Sequence, residues 1–476
     1  MDLRKGWAKL SGHLRHAFSP DSKTDSRRAS LNHPIESMLS IEQKELAQWA
    51  MEHALNQGCQ EARVLLYQGS DTEFEVRNDQ LDRLQQSTER QLAFHVFVDG
   101  KYGAFSTNRL VKDELALFIN EAVEAVKYLA PDTDRKLPSP ELYFSGKATS
   151  LQLFDDTYNQ IGPDQKLDLA KETAAEIFGT DKRLLSVQSN WNDGCSTHYL
   201  IASNGFEGEQ AVSYYSLSAN VSVKGKGEAK PEAYWYDQAL TYNDLIKKNI
   251  GKEALRRALD KIGQQKAPSG KYALLVDNLN SARLLSPLLS AISGSSLQQN
   301  NSFLLNKIDQ QIVSEKVVLV DDPHVPAAFG SRWFDNEGIA TKHRPIFDNG
   351  VLKTYFLDTY FASKMGMPQT ISGPSRLVLM PGTRTCEQMM GGVERGVLVT
   401  GFNGGNCNSS SGDFSFGIEG FLLEHGHIVR PIAEMNITGN MLTLWSSLQE
   451  IGNDPRRNNA FQIPSLLFNE VNLSGS

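Results

Sequence analysis

The sequence predicts an α+β fold: an N-terminal α/β-type domain, a central sheet-rich domain and a C-terminal domain of mixed, mostly antiparallel sheet. Three observations lead there. Apolar residues alternate with period two in long runs, most plainly at Tyr215, Leu217, Ala219, Val221 and Val223. Strand-like runs are joined by Asp99-Gly100, Asn204-Gly205 and Asn349-Gly350, dipeptides whose tolerance of positive φ suits tight hairpins. The strands therefore run mostly in adjacent hairpins, not in strict alternation with helices, which disfavours a doubly wound parallel sheet.

Residues 1–38 read as a disordered tail. The first 30 residues carry seven Lys/Arg against three Asp but lack the apolar core of a secretory signal. A start site placed too far upstream would give the same pattern, because Met38 opens the first folded segment. The first unit, 39–130, begins with Ser40 and Gln43 at capping-box spacing, ahead of a helix carrying Leu46, Trp49, Ala50 and Ala54 and stopped by Gly58. His53 lies near that apolar face as a core or rim residue. A hairpin pairs Leu92–Val98 with Tyr102–Thr107. Leu115, Phe118, Ile119, Ala122, Val126 and Leu129 then form one stripe of an amphipathic helix.

Pro131, Pro138 and Pro140 mark the first boundary. The central unit, 149–263, holds a helix around Leu167–Phe178, the hairpin through Asn204-Gly205 with its long alternating strand, and a helix within Asn243–Ile262. The third unit, 270–474, has strands at Tyr272–Val276, Val317–Val320, Arg344–Phe347, Val351–Phe356, Phe414–Leu423, Ile428–Ile437 and Leu466–Leu473. Its helices are expected at Leu279–Ile292, Thr359–Met365, Cys386–Arg395 and Met441–Gln449. The Gly-rich segment Gly401–Gly417 reads as a flexible loop, or as backbone that approaches a peptide or partner closely.

Composition excludes several function classes. The 476 residues carry 48 Lys+Arg against 56 Asp+Glu, a net charge of -8, so no basic footprint for nucleic acid is present. No apolar run approaches the ~20 residues that span a bilayer. Cys59, Cys195, Cys386 and Cys407 are scattered with no C-x-x-C pair, consistent with a reducing cytoplasm.

A direct search for catalytic motifs returns little. None of the ten histidines is followed by Glu, as a zinc helix requires, and there is no G-x-S-x-G elbow or P-loop. His13 with His16, His425 with His427, and the cluster Asp321, Asp322 and His324 are the metal candidates. In each case an exposed or structural role is the plainer reading.

The C-terminal third nevertheless resembles the TldD/PmbA family. The resemblance rests on Gly330-Ser331-Arg332-Trp333-Phe334-Asp335-Asn336-Glu337-Gly338, Phe347-Asp348-Asn349-Gly350-Val351-Leu352-Lys353-Thr354-Tyr355 and Ser411-Gly412-Asp413-Phe414-Ser415-Phe416-Gly417. Arg430-Pro431, Thr438-Gly439-Asn440 and Gly452-Asn453-Asp454 add to it, and the hairpin from Asp99 to Ala104 extends it to roughly Leu39–Ser474.

The family, named both for modulation of DNA gyrase and as a metallopeptidase, has two branches. TldD-like subunits carry H-E-x-x-x-H on a helix plus a late cysteine as zinc ligands; PmbA/TldE-like subunits do not. Here the aligned positions hold Ser286, Pro287 and Ala291, and no cysteine follows Cys407. Serine is a poor zinc ligand, alanine offers no donor, and proline has no acid/base function. The resemblance thus implies a non-catalytic subunit with no metal or catalytic residue of its own. Zinc is expected in a TldD-like partner, and the pair would enclose unfolded peptides for leader removal or degradation; alone, the chain could form a homodimer. Ser286, Ser290, Gly405, Asn406 and Cys407 are the residues expected to face partner or peptide. Two alternatives stand beside this reading: a stand-alone peptidase with an unrecognised site, and a binding protein that modulates DNA gyrase.

Overall fold

The structure is a computed structural model that describes residues 39–146 and 149–475; the expected tail at 1–38 lies outside them. Helix α1 (Ile41–Asn56) starts at the anticipated capping box, in which Ser40 Oγ accepts from the Gln43 amide at 3.3 Å and Gln43 Oε1 accepts from the Ser40 amide at 2.7 Å. Its Ala47, Ala50 and Ala54 are buried against β1 (Glu61–Arg77), which turns back into β2 (Gln80–Val98). β2 pairs with β3 (Lys101–Thr107) across Asp99 and Gly100, whose φ values of 50° and 72° give the two left-handed residues of a tight hairpin. Helix α2 (Lys112–Val126) buries Leu115, Ile119, Ala122, Val123 and Val126. Leu129, expected on the same stripe, is exposed because the helix has already ended.

Helix α3 (Pro163–Ala175) begins earlier than the apolar pattern alone suggests, with Pro163 pre-set for its first turn. Strands β4 (Leu184–Ala202), β5 (Phe206–Val223) and β6 (Glu232–Ala239) follow, then α4 (Ile250–Asp260). All five alternating residues from Tyr215 to Val223 are fully buried. The six strands form one sheet in the order β3-β2-β1-β4-β5-β6, because β1 pairs with β4 from Arg63↔Ala202 to Arg77↔Gln188. Strands from the first two expected units therefore share a sheet. On β1, Val64 and Leu66 pack with α1 and α2, while Phe74 and Val76 pack with α3 and α4. These positions have equal parity, so all four helices cover one face. The fully buried Asp193 fixes α3 to that sheet, accepting from Lys166 Nζ at 2.8 Å, Trp191 Nε1 at 2.5 Å and Tyr158 Oη at 2.7 Å.

The C-terminal unit starts with β7 (Gly270–Val276), α5 (Ala282–Ala291) and α6 (Gly294–Gln298). It continues through β8 (Leu319–Asp321), β9 (Arg344–Asp348), β10 (Val351–Leu352), α7 (Thr359–Met365), β11 (Leu377–Leu379) and α8 (Cys386–Met390). The last elements are β12 (Arg395–Cys407), β13 (Asp413–Glu424), β14 (His427–Asn440), α9 (Met441–Ser446), β15 (Leu448–Ile451), β16 (Phe461–Gln462) and β17 (Leu466–Gly475). One sheet runs β10-β9-β8-β11-β16 and the other β14-β13-β12-β7-β17-β15. An additional β14–β17 pairing, Met435↔Gly475 to Thr438↔Asn472, makes the second sheet barrel-like. Leu274, Val276, Leu284, Leu288, Trp445 and Phe468 lie in its core.

Several expectations need correcting here: the strand expected over Val351–Phe356 stops at Leu352, and the helix expected over Met441–Gln449 stops at Ser446, with Leu448 already in β15. Gly401–Cys407 is strand, not loop: β12 runs through it with register shifts at Val399/Gly401 and Phe402/Gly405, so its glycines belong to β-bulges. The helix expected over Cys386–Arg395 stops at Met390, and Arg395 is the first residue of β12. Among the described residues no helix is long and apolar enough to cross a membrane.

Candidate functional site

Helix α5 follows β7 through a turn held by Asp277, whose Oδ1 accepts from the Asn280 amide at 3.1 Å and Nδ2 at 2.7 Å. The helix turns Leu284, Leu285, Leu288 and Ala291 inward, and Leu284 O accepts from Trp445 Nε1 at 3.1 Å. Ser286 and Ser290, one turn apart, are exposed on the other side. Ser286 Oγ donates to Ala282 O at 3.0 Å within the same helix. Pro287 lies inside α5, where its missing N–H leaves the usual bond to the Arg283 carbonyl unmade.

These side chains do not fit a zinc site. The one hydroxyl present is engaged with its own helix, Pro287 has no donor atom, and Ala291 points into the core. The His324 cluster does not converge either. Asp321 is fully buried and accepts from the Ser375 and Arg376 amides, whereas His324 bonds Thr341 at 2.9 Å and packs on Trp333. His425 pairs with Glu394 at an exposed turn, and His53 bonds Asn120 beside Trp49. Among the described residues no three His, Cys, Asp or Glu side chains gather into a metal-binding group; His13 and His16 lie outside them.

The two segments expected to face partner or peptide are neighbours in space. Arg283, one turn before Ser286, donates to Gly405 O at 3.2 Å and lies over the Phe416 ring. Ser410 Oγ bonds Asn301 Oδ1 at 2.7 Å, and the Phe303 amide donates to Ser409 O at 3.0 Å. Gly405 has φ +94°, and a Cβ there would meet the Ser415 carbonyl oxygen at 2.0 Å, so only glycine fits. Asn406 is exposed and pairs with Ser415 in the ladder. Cys407 is half-buried, and burial, with Asp413 nearby, raises its thiol pKa and keeps it protonated. The turn from Asn408 to Gly412 is pinned, with Asn408 Oδ1 accepting from the Ser410 and Ser411 amides and Asn440 Nδ2 donating to Ser411 O.

Beside α5, where the first sheet meets the C-terminal unit, lies a cleft of about 930 Å³. None of the five expected residues lines it. Its walls are β6, α4 and the strands β12 to β14, and its floor includes Asp277, Asn280, Cys386, Asp454 and Ser465. Asp454 accepts from the Ser465 amide at 2.9 Å and hydroxyl at 2.7 Å. Burial pushes the Cys386 thiol up to about 12, aided by Asp454, Asp277 and Glu387 and opposed by a hydrogen bond from Ser465. Burial likewise raises the Asp277 carboxyl, against Asn280 and the Arg257 guanidinium 3.9 Å away. Arg257 and Arg456 stack over Trp235 at 4.4 and 4.8 Å. Sequence reasoning missed this cleft because its residues come from distant segments; the Arg430-Pro431 and Gly452-Asn453-Asp454 runs, which both reach it, were the visible signals.

Comparison with known proteins matches all three units. Domain 1 of the PmbA/TldA metallopeptidases matches residues 62–126, the central domain 156–262 and the C-terminal domain 269–475. The chain is 26% identical over 407 residues to Metalloprotease PmbA of Escherichia coli, covering 84% of this chain and 89% of that protein. It is 25% identical over 447 residues to a PmbA homolog of Haemophilus influenzae, covering 92% and 98%. A crystal structure from Bacteroides thetaiotaomicron, named for modulation of DNA gyrase, superposes with a TM-score of 0.91 at 53% identity over 92% of this chain and all of that one. TldE from Thermococcus kodakarensis shares the fold, with a TM-score of 0.78 at 20% identity over 90% of this chain and all of that one. The chain belongs to the PmbA/TldD metallopeptidase family.

Proposed function

We propose that this chain is the non-catalytic, PmbA/TldE-like subunit of a cytoplasmic two-subunit peptidase acting on unfolded peptides. One observation carries the reading: the helix aligned with the family's zinc helix presents Ser286, Pro287 and Ala291, none of which can complete a zinc site. Zinc and the chemistry of bond cleavage then reside in a TldD-like partner. The residues of this chain supply surface: Ser286 and Ser290 on α5, with Gly405, Asn406 and Cys407 on the bulged end of β12, face the partner or the peptide.

The adjoining cleft suits an extended chain. It is bordered by β6, an edge strand of the first sheet, and by the early part of β14, where Ile428 and Val429 are about half exposed. A peptide added along such an edge is held through its backbone, which suits substrates of varied sequence.

The test is co-purification and peptidase assay. The chain alone should leave an unfolded peptide intact, whereas its mixture with a TldD-like protein from the same cell should form a complex that cleaves faster than that protein alone. Cleavage by the purified chain without a partner refutes the reading.

A further inference from the structure

The face of the first sheet turned away from its four helices carries two glycines in the middle of central strands, Gly69 on β1 and Gly194 on β4. Glycine weakens a strand interior and marks a place where something approaches the backbone closely. Here aromatic side chains do so. A Cβ at Gly69 would meet Tyr67 Oη at 2.2 Å, and one at Gly194 would meet Tyr214 Cε1 at 2.5 Å and Asp71 Oδ1 at 2.6 Å. Both rings therefore lie down along the sheet and turn a face outward instead of an edge.

Cross-strand register gathers these residues into one patch. Asp71, Gly194 and Tyr214 form one row, in which Tyr214 reaches across the glycine to donate to Asp71 Oδ1 at 2.9 Å. Two rows along on the same face, Tyr67 stands opposite His198, whose ring tilts against it at 5.0 Å. Gly69 lies between them, flanked by Ser196 on β4 and Glu89 on β2. Tyr67 Oη, Asp71 Oδ2 and the Glu89 carboxylate have no hydrogen bond or ion pair among the described residues. The next acids on this face are already matched, Glu73 by Arg83 at 3.6 Å and Glu75 by Arg77 at 3.4 Å. The patch thus offers two ring faces, unused acceptors and negative charge, with no Lys or Arg of its own. It repels a phosphate. A guanidinium fits it best, because its plane stacks on a ring while its edge donates to carboxylates, which the compact ammonium of lysine cannot do at once.

We infer that Tyr67, Tyr214 and Asp71 form a stacking site for an arginine side chain of a bound peptide. The source of that arginine rests on the peptide-handling reading above. Saturation-transfer NMR on the full chain alone tests the site, with N-acetyl-arginine amide as the probe and its uncharged isostere N-acetyl-citrulline amide as the comparison. The arginine probe should bind at millimolar concentration, with its δ-methylene protons receiving the most saturation, and the citrulline probe should bind at least about threefold more weakly. Asp71→Asn keeps an acceptor for Tyr214 and removes the charge, whereas Tyr67→Leu with Tyr214→Leu removes the rings. Each should weaken arginine binding at least about threefold, with thermal unfolding as the folding control; Asp71→Asn keeps the test decisive should the leucine variant unfold. No binding of the arginine probe, equal binding of the citrulline probe, or an affinity indifferent to Asp71→Asn each overturns the inference. Neither zinc nor a partner enters this test, so those failures leave the subunit reading standing, and a failed co-purification leaves the stacking site standing.

Discussion

The outer face of α5 and the floor of the neighbouring cleft both spring from the β7–α5 turn, yet they hold opposite chemistry. The helix face offers two serine hydroxyls and a proline over a tightly packed inner side. The cleft floor gathers two carboxylates and a thiol, but each is occupied: Asp277 by Asn280, Asp454 by Ser465, and Cys386 by its own proton. Helix α5 packs an apolar flank anchored by Trp445, while its outward side carries Ser286 and Ser290. Polar groups are plentiful one turn away, where they serve to join elements. Packing and polar chemistry therefore occupy different sides of one turn, and variants should separate them.

The largest effect should come from the inner side of α5. Leu288→Ala should cost about 2–5 kcal/mol and Trp445→Ala about 3–5 kcal/mol in denaturant unfolding, because both side chains are fully buried. Gly405→Ala should cost about 1–3 kcal/mol, since an added Cβ meets the Ser415 carbonyl at a positive φ. At the cleft floor, alkylation of Cys386 at pH 8 should run on the order of 10³ slower than that of a free thiol, following its depleted thiolate.

Asp277→Asn sharpens the comparison through pH. The folded-state pKa of Asp277 is raised, so its stabilising contribution is full below the ordinary carboxylate range and is lost as pH rises through the raised value. The asparagine variant should gain stability relative to the parent between acid and neutral pH. A variant that instead loses stability relative to the parent as pH rises would mean that Arg257 holds the carboxylate ionised. The smallest effect is expected on the outer face, where Ser286→Ala and Ser290→Ala should each change stability by less than about 0.5 kcal/mol.

Local patterns made much of the frame legible. The Ser40–Gln43 box, the Asp99-Gly100 turn and the alternation from Tyr215 to Val223 each specify a conformation within a few residues, and each is present as read. The pairing of β1 with β4 is different. It joins residues more than a hundred positions apart, across a proline-rich stretch that reads as a boundary, and no local pattern encodes it. Gly404 and Gly405 misled for a related reason: the glycines that suggest a loop are those a bulge requires, and only the partner strand distinguishes the two. At the candidate site, the family alignment brought α5 to attention and the run of glycines brought the β12 end. Trp235, Arg257 and Asp277 converge only once the first sheet packs against the C-terminal unit.

Zinc content of the purified full-length chain, equilibrated with excess zinc and then desalted, tests the central claim most directly. The account predicts far less than one zinc per chain, unchanged by Ser286→Ala. Retention of one equivalent of zinc would contradict it and would mean that residues other than those of α5 assemble a metal site.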